Sequence, residues 1–187
     1  MQQVNINNGL NCRQLQLSNT IRRLWMEHVL WTRLFILSTA FNLPDLQFVT
    51  ERLLQNPVDF ARVLEPFYGG QIAMQFEQLF TDHLLIAAQL VNAAKAGDSA
   101  QVDIQRRRWY ANADDIAKFL ASINPFWSEA QWRNLLFDHL SMTENEAVFI
   151  LTGRYEKSIK EYDRIQAEAL QMADVMTCGI IRQFCIM

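Results

Sequence analysis

Glycine and proline are scarce in this chain, six and four among 187 residues, and no Ser/Gly-rich, Gln-rich or single-charge tract interrupts it. That composition excludes a collagenous, linker-like or low-complexity organisation and argues for one compactly folded domain over residues 1–187, with flexibility expected only at residues 1–10. Cysteine is rare too. Cys12, Cys178 and Cys185 are an odd number without CxxC spacing, which excludes a disulfide framework and a zinc knuckle and makes a reducing, cytoplasmic setting the simpler expectation. Cys178 and Cys185, seven apart, are expected as buried small hydrophobes on one helix face. The ending "FCIM" places Cys185 third from the end, whereas prenylation needs it fourth.

Positive charge is not in excess. Lys and Arg number 17 against 20 Asp and Glu, for a formal net charge of −3, so a nucleic-acid partner is not expected. Arg106, Arg107 and Arg108 read as a solvated helix face. Half the residues are hydrophobic, yet the most apolar stretch, 24–41, carries Glu27, His28 and Arg33, so no membrane span is expected, and the start lacks a basic-then-apolar leader pattern. Nucleophile elbow, dinucleotide fingerprint and phosphate loop are all missing, and "FYGG" at 67–70 is too little to make one. No motif therefore assigns an enzymatic activity.

What is present is helical period. Apolar residues recur at threes and fours through Ile21, Leu24, Trp25, His28, Trp31 and Phe35, and again through Phe76, Leu79, Phe80, His83, Ala87 and Leu90. Breaks fall at "NLPD" (42–45), "EPFYGG" (65–70), "AGDS" (96–99), "NPFWS" (124–128) and "TGR" (152–154). "SEAQ" from Ser128 reads as a capping box opening a helix, and "TENE" from Thr143 as a second box that would end or bend one. With no period-2 run in evidence, the expectation is an all-α bundle of about six helical segments joined by short connections. The five tryptophans and twelve phenylalanines are expected mainly in core and hairpin corners.

The three histidines share one context, "LWMEHVL", "LFTDHLL" and "LLFDHLS", at spacings of 55 and 56 residues. "RLLQNPVDFARVL" (52–64) and "RWYANADDIAKFL" (108–120) share Arg, Asn, Asp, Ala and Leu at the same offset, and "ALQMADVMTCGII" (169–181) is taken as a third, degraded copy. Pro57 then lies in a helical pattern, as a kink or a first-turn residue. The reading is three tandem hairpins, near 20–64, 72–120 and 128–184, each with a histidine helix followed by an aspartate helix. It pairs His28 with Asp59, His83 with Asp115 and His139 with Asp174, leaving Glu27, Asp82 and Asp138 to flank the seam and face other helices.

A buried imidazole left unpaired costs roughly 1–3 kcal/mol, so each ring needs a partner. Two outcomes satisfy that need. His28, His83 and His139, with Asp59, Asp115 and Asp174 as ligands or orienters, could converge on iron, manganese or zinc in the bundle interior. Alternatively, the pairs are satisfied polar pins that fix helix register in a non-catalytic interaction or scaffold protein, with self-association left open and its partner unnamed. A third reading, a haem or small-molecule sensor, would use an apolar pocket within the bundle and, for haem, one imidazole as axial ligand. The Glu-x-x-His spacing of di-iron bundles is absent, so any metal centre would draw its histidines from three helices.

At "LWMEHVLWTRLFI", "RLLQNPVDFARVL" and "RRRWYANADDIAKFL" the chain resembles a family of uncharacterised, all-helical bacterial proteins with ferritin-like bundle architecture, over about residues 20–184. Some members carry an acetylglutamate kinase label, but that activity belongs to an α/β fold with Gly-rich phosphate loops, which this sequence lacks. The resemblance implies helices and a metal, and brings no catalytic residues.

Overall fold

A computed structural model of the chain describes residues 11–186; the N-terminal segment 1–10 expected to be flexible lies outside them. Six helices account for the fold: α1 (Cys12–Phe41), α2 (Leu46–Tyr68), α3 (Gly70–Ala96), α4 (Ser99–Ile123), α5 (Glu129–Leu151) and α6 (Tyr155–Gln183). The described residues contain no strand, so the all-α expectation holds. Each helix packs on its neighbours in the chain, and α6 returns to pack on α1. The result is a closed ring of six, within which α1, α3 and α5 also touch one another.

Local chemistry sets the helix limits. Asn11 Oδ1 accepts from the backbone N–H groups of Arg13 and Gln14 while Gln14 Oε1 accepts from Asn11 N–H, a reciprocal cap at the start of α1. Asn42, at φ 52°, and Gly97, at φ 72°, end α1 and α3 in the left-handed region. Asp98 and Ser128 cap α4 and α5 through Gln101 and Gln131 N–H. Pro57 is accommodated inside α2, buried and well past its first turn.

Two expectations fail locally. "TENE" does not begin or bend a helix: α5 runs through it, because Thr143 and Glu146 are buried on its interior face and Glu146 is ion-paired with Arg33 of α1. Cys178 and Cys185 are exposed and free, as is Cys12: Cys178 lies off the face that α6 buries with Met172, Met176 and Ile180, and Cys185 lies beyond the end of α6.

The inner helices build the core in register. Seven residues before the three histidines stand Ile21, Phe76 and Trp132, each no more than 1 % exposed. Burying one such side chain contributes about 1.5–3 kcal/mol, so this layer outweighs any surface ion pair. Trp25 stacks on Trp132 at 6.5 Å and meets Phe60 edge-on at 5.3 Å. Four of the five tryptophans, Trp25, Trp109, Trp127 and Trp132, are buried as core. A second, smaller apolar cluster, including Phe35, Ile36, Leu84, Val91, Ala147 and Ile150, gathers around the C-terminal halves of the inner helices.

Candidate functional site

The histidines sit on α1, α3 and α5, between those two clusters, and each is 2 % exposed. The His28 and His139 ring centroids are 5.4 Å apart, and Phe80 lies 4.9 Å from His28 and 6.0 Å from His83. Burial, reinforced by the other two rings, holds the pKa of His28 well below its ordinary value; burial also lowers His83 to about 3, against the opposing effect of Asn112. Both rings are therefore neutral at physiological pH.

Their partners are not the aspartates. Asn112 Nδ2 donates to the Leu79 carbonyl at 3.0 Å, which turns its Oδ1 toward His83 Nδ1, 2.8 Å away. The amide orientation requires the proton on Nδ1, so His83 donates. Asn56 repeats half of this arrangement, donating to the Leu24 carbonyl at 3.0 Å. It acts on the His28 ring too, but short of hydrogen-bond geometry, which leaves His28 Nδ1 and Asn56 Oδ1 buried without a partner. In the third hairpin Glu168 Oε2 lies 3.0 Å from His139 Nδ1.

Asp59, Asp115 and Asp174 stand elsewhere. Asp59 lies between Arg52 and Arg62, at 3.8 and 3.1 Å; Asp115 is 63 % exposed opposite Lys118; and Asp174 pairs with Arg22 of α1. Asp59 and Asp115 sit three residues beyond the asparagines, which turns them about 60° round the helix from the buried asparagine position toward the edge of that face. The segment 169–181 is out of register with these contacts as a third copy. The spacing of 56 between Asn56 and Asn112 leads on to Glu168, and the same step takes Arg52 and Arg108 to Arg164. The sequence signal for the true partners was therefore that constant spacing. Of the flanking acids, Glu27 meets Arg23 and Arg52, Asp82 accepts from Gln78, and Asp138 lines a polar groove between α5 and α6.

This donor set does not fit a metal centre. Among the described residues no group of three His, Cys, Asp or Glu side chains is close enough to hold an ion, and the three aspartates expected as ligands are tied to surface cations. A second buried polar group, Glu146, has its pKa pushed up to about 7 by burial, against the pull of Arg33.

One helical turn beyond the histidine layer the core opens. Within the second apolar cluster a cavity of about 80 Å3 lies among α1, α3 and α5 with α2 and α4 behind, its walls including Phe35, Ile36, Leu84, Ala87, Val91 and Ala147. Thr32, Ala87 and Thr143, each four residues after a histidine, belong to its lining. Arg106 and Glu144 mark the opening between α4 and α5: Arg106 Nε meets both Glu144 oxygens, at 3.0 and 3.1 Å, and neighbouring Val148 is 44 % exposed. Trp109 joins cavity to layer, because it lines the former and its ring lies 5.2 Å from that of His83.

Three lining residues carry buried polar atoms without a protein partner: Thr32 Oγ1, Trp109 Nε1 and Thr143 Oγ1. An unmade bond at such a site costs about 1–3 kcal/mol, more than a helix cap returns. No histidine, cysteine, methionine or tyrosine lines the cavity, so it offers haem no axial ligand. Comparison with known proteins gives no match: no family model fits the chain, and no curated protein or solved structure is significantly similar to it.

Proposed function

We propose that this protein binds a small lipophilic molecule in the cavity beside its histidine layer and acts as a non-enzymatic carrier or sensor. The observation that carries the reading is the cavity itself: lined from five helices, apolar in its walls, and of about 80 Å3, the order of size of the roughly 150 Å3 apolar cavity that takes up benzene. The paired imidazoles of His83 and His139 below it are polar pins, the first holding α3 on α4 and the second α5 on α6. A cytoplasmic location suits the three free cysteines.

The test is calorimetric titration with benzene. Saturable binding of one benzene per chain is expected, lost in Ala87→Leu, which fills the cavity and leaves the helical circular dichroism intact. Benzene binding that survives Ala87→Leu unchanged would place the site elsewhere and defeat the reading, and no binding to the wild type would overturn it. Metal and haem lie outside this proposal; stoichiometric iron, manganese or zinc in protein purified without chelator would overturn that part.

A further inference from the structure

Resting on this ligand-binding reading, we propose that the guest enters between α4 and α5 where Arg106 meets Glu144, and that this ion pair is a latch on the first turns of α4.

Only one of the residues lining the cavity is exposed, Val148, one turn after Glu144 on α5. The partner of Glu144 across the seam is Arg106, whose Nε reaches both carboxylate oxygens at 3.0 and 3.1 Å. The pair therefore lies across the edge that the apolar walls leave uncovered. No other ionisable residue lines the cavity.

The two helix ends beside this edge are held differently. The end of α3 is anchored, because Lys95 Nζ donates to the Thr39 carbonyl at 2.6 Å and to Asn42 Oδ1 at 2.5 Å, both at the end of α1. The start of α4 has no such ties. From 99 to 104 no residue is buried, and Val102 alone among them lines the cavity. Among the described residues their side-chain hydrogen bonds, Gln101 with Gln105 and Asp103 with Arg106, stay within α4. A segment with so few buried contacts opens far more readily than the domain unfolds. Gly97, at φ 72° with open space around its Cβ position, leaves the α3 to α4 connection free to follow.

Arg106 is also arranged to let go. Its Nη1 donates to Asp103 at 3.0 Å, one turn back on the same helix, so release of Glu144 leaves the guanidinium partnered and in water, with Arg106 and Asp103 43 % and 63 % exposed. A partly exposed ion pair adds little to global stability and weakens with salt, which suits a latch better than a strut.

The experiment follows benzene exchange by methyl NMR at Ala147 and Val148 in the wild type, Glu144→Gln and Asp114→Asn. Asp114 pairs with Arg133 across the same two helices but outside the cavity lining, so it controls for general loosening of the seam. Glu144→Gln is expected to raise the association and dissociation rates together, each about fivefold, and Asp114→Asn to alter neither. Raising the ionic strength from about 0.01 M to about 1 M, which shortens the screening length from ~30 to ~3 Å, should bring the wild-type rates up to those of Glu144→Gln. Faster dissociation alone would assign the pair to the bound state, and equal acceleration by Asp114→Asn would spread the opening along the whole seam. Rates indifferent to substitution and salt would place the entrance elsewhere. Each of these overturns the proposal while benzene still binds; benzene that never binds the wild type overturns the ligand-binding reading with it.

Discussion

The choice of partner for a buried imidazole decides which nearby substitution is severe. Asn112→Ala removes the acceptor of His83 Nδ1 and the donor to the Leu79 carbonyl together, and is expected to cost about 2–4 kcal/mol in urea unfolding. Asp115→Ala, one turn away but 63 % exposed, is expected within about 0.5 kcal/mol of wild type. Equal effects would refute the assignment of Asn112. Protonation gives a second test. Between pH 6.5 and about 3 an unfolded chain takes up a proton at His83 that the folded one refuses, and His28 shifts in the same direction, so both withdraw stability as pH falls below 6.5. Glu146 acts oppositely: raised from 4.5 to about 7, it makes the fold less stable as pH rises through that window. Two imidazoles against one carboxyl leave a net loss of stability toward acid from these three groups between pH 6.5 and 4.5. His83→Gln should flatten that slope, and a slope unchanged by the substitution would remove His83 from the account. At this scale the sequence revealed that the imidazoles are buried on apolar stripes but not what they bond. Asparagine and aspartate stand three apart in two of the segments, and only helix rotation, which a one-dimensional pattern leaves free, decides which of them faces inward.

At the scale of elements, α6 is seated by a close approach. A Cβ on Gly179 would lie 1.9 Å from Trp127 Nε1, the nitrogen that donates to the Val175 carbonyl at 3.1 Å. Alanine normally gains about 1 kcal/mol over glycine inside a helix, whereas overpacking at a closed contact costs about 1–3. The second effect wins, because indole and helix are both buried: Gly179→Ala is expected to lower stability and to red-shift the Trp emission as the corner opens. An increase in melting temperature would contradict this packing. The helices themselves were largely legible. Breaks at "NLPD", "AGDS" and "TGR" fall where Asn42, Gly97 and Gly153 take positive φ, since turn chemistry is local. "TENE" misled because the same letters that cap a helix can sit inside one once a tertiary partner, here Arg33 on Glu146, is supplied from another helix.

At the scale of the molecule, closure of the ring brings distant chain segments together. Gln14 Nε2 donates to the Ile186 carbonyl at 2.8 Å, and α1 packs along α6. A circular permutant that joins these ends through a short linker and is cut between Gly97 and Asp98 should keep the helical content and the cooperative unfolding of the parent. Loss of cooperativity would show that the α3 to α4 connection matters beyond its length. Ring closure was not readable beforehand, because hairpin repeats specify neighbours and leave open whether the last meets the first. No helix among the described residues is long and apolar enough to cross a membrane, as the interrupting charges in 24–41 implied.

The hollow beside the histidines is walled in part by short side chains, Ala87, Ala88, Ala94 and Ala147. Such an emptiness is one codon change away from being plugged, and plugging it would make the protein sturdier. A lineage that had no use for the space should therefore have filled it, and related sequences that keep alanine at these places would be recording a guest.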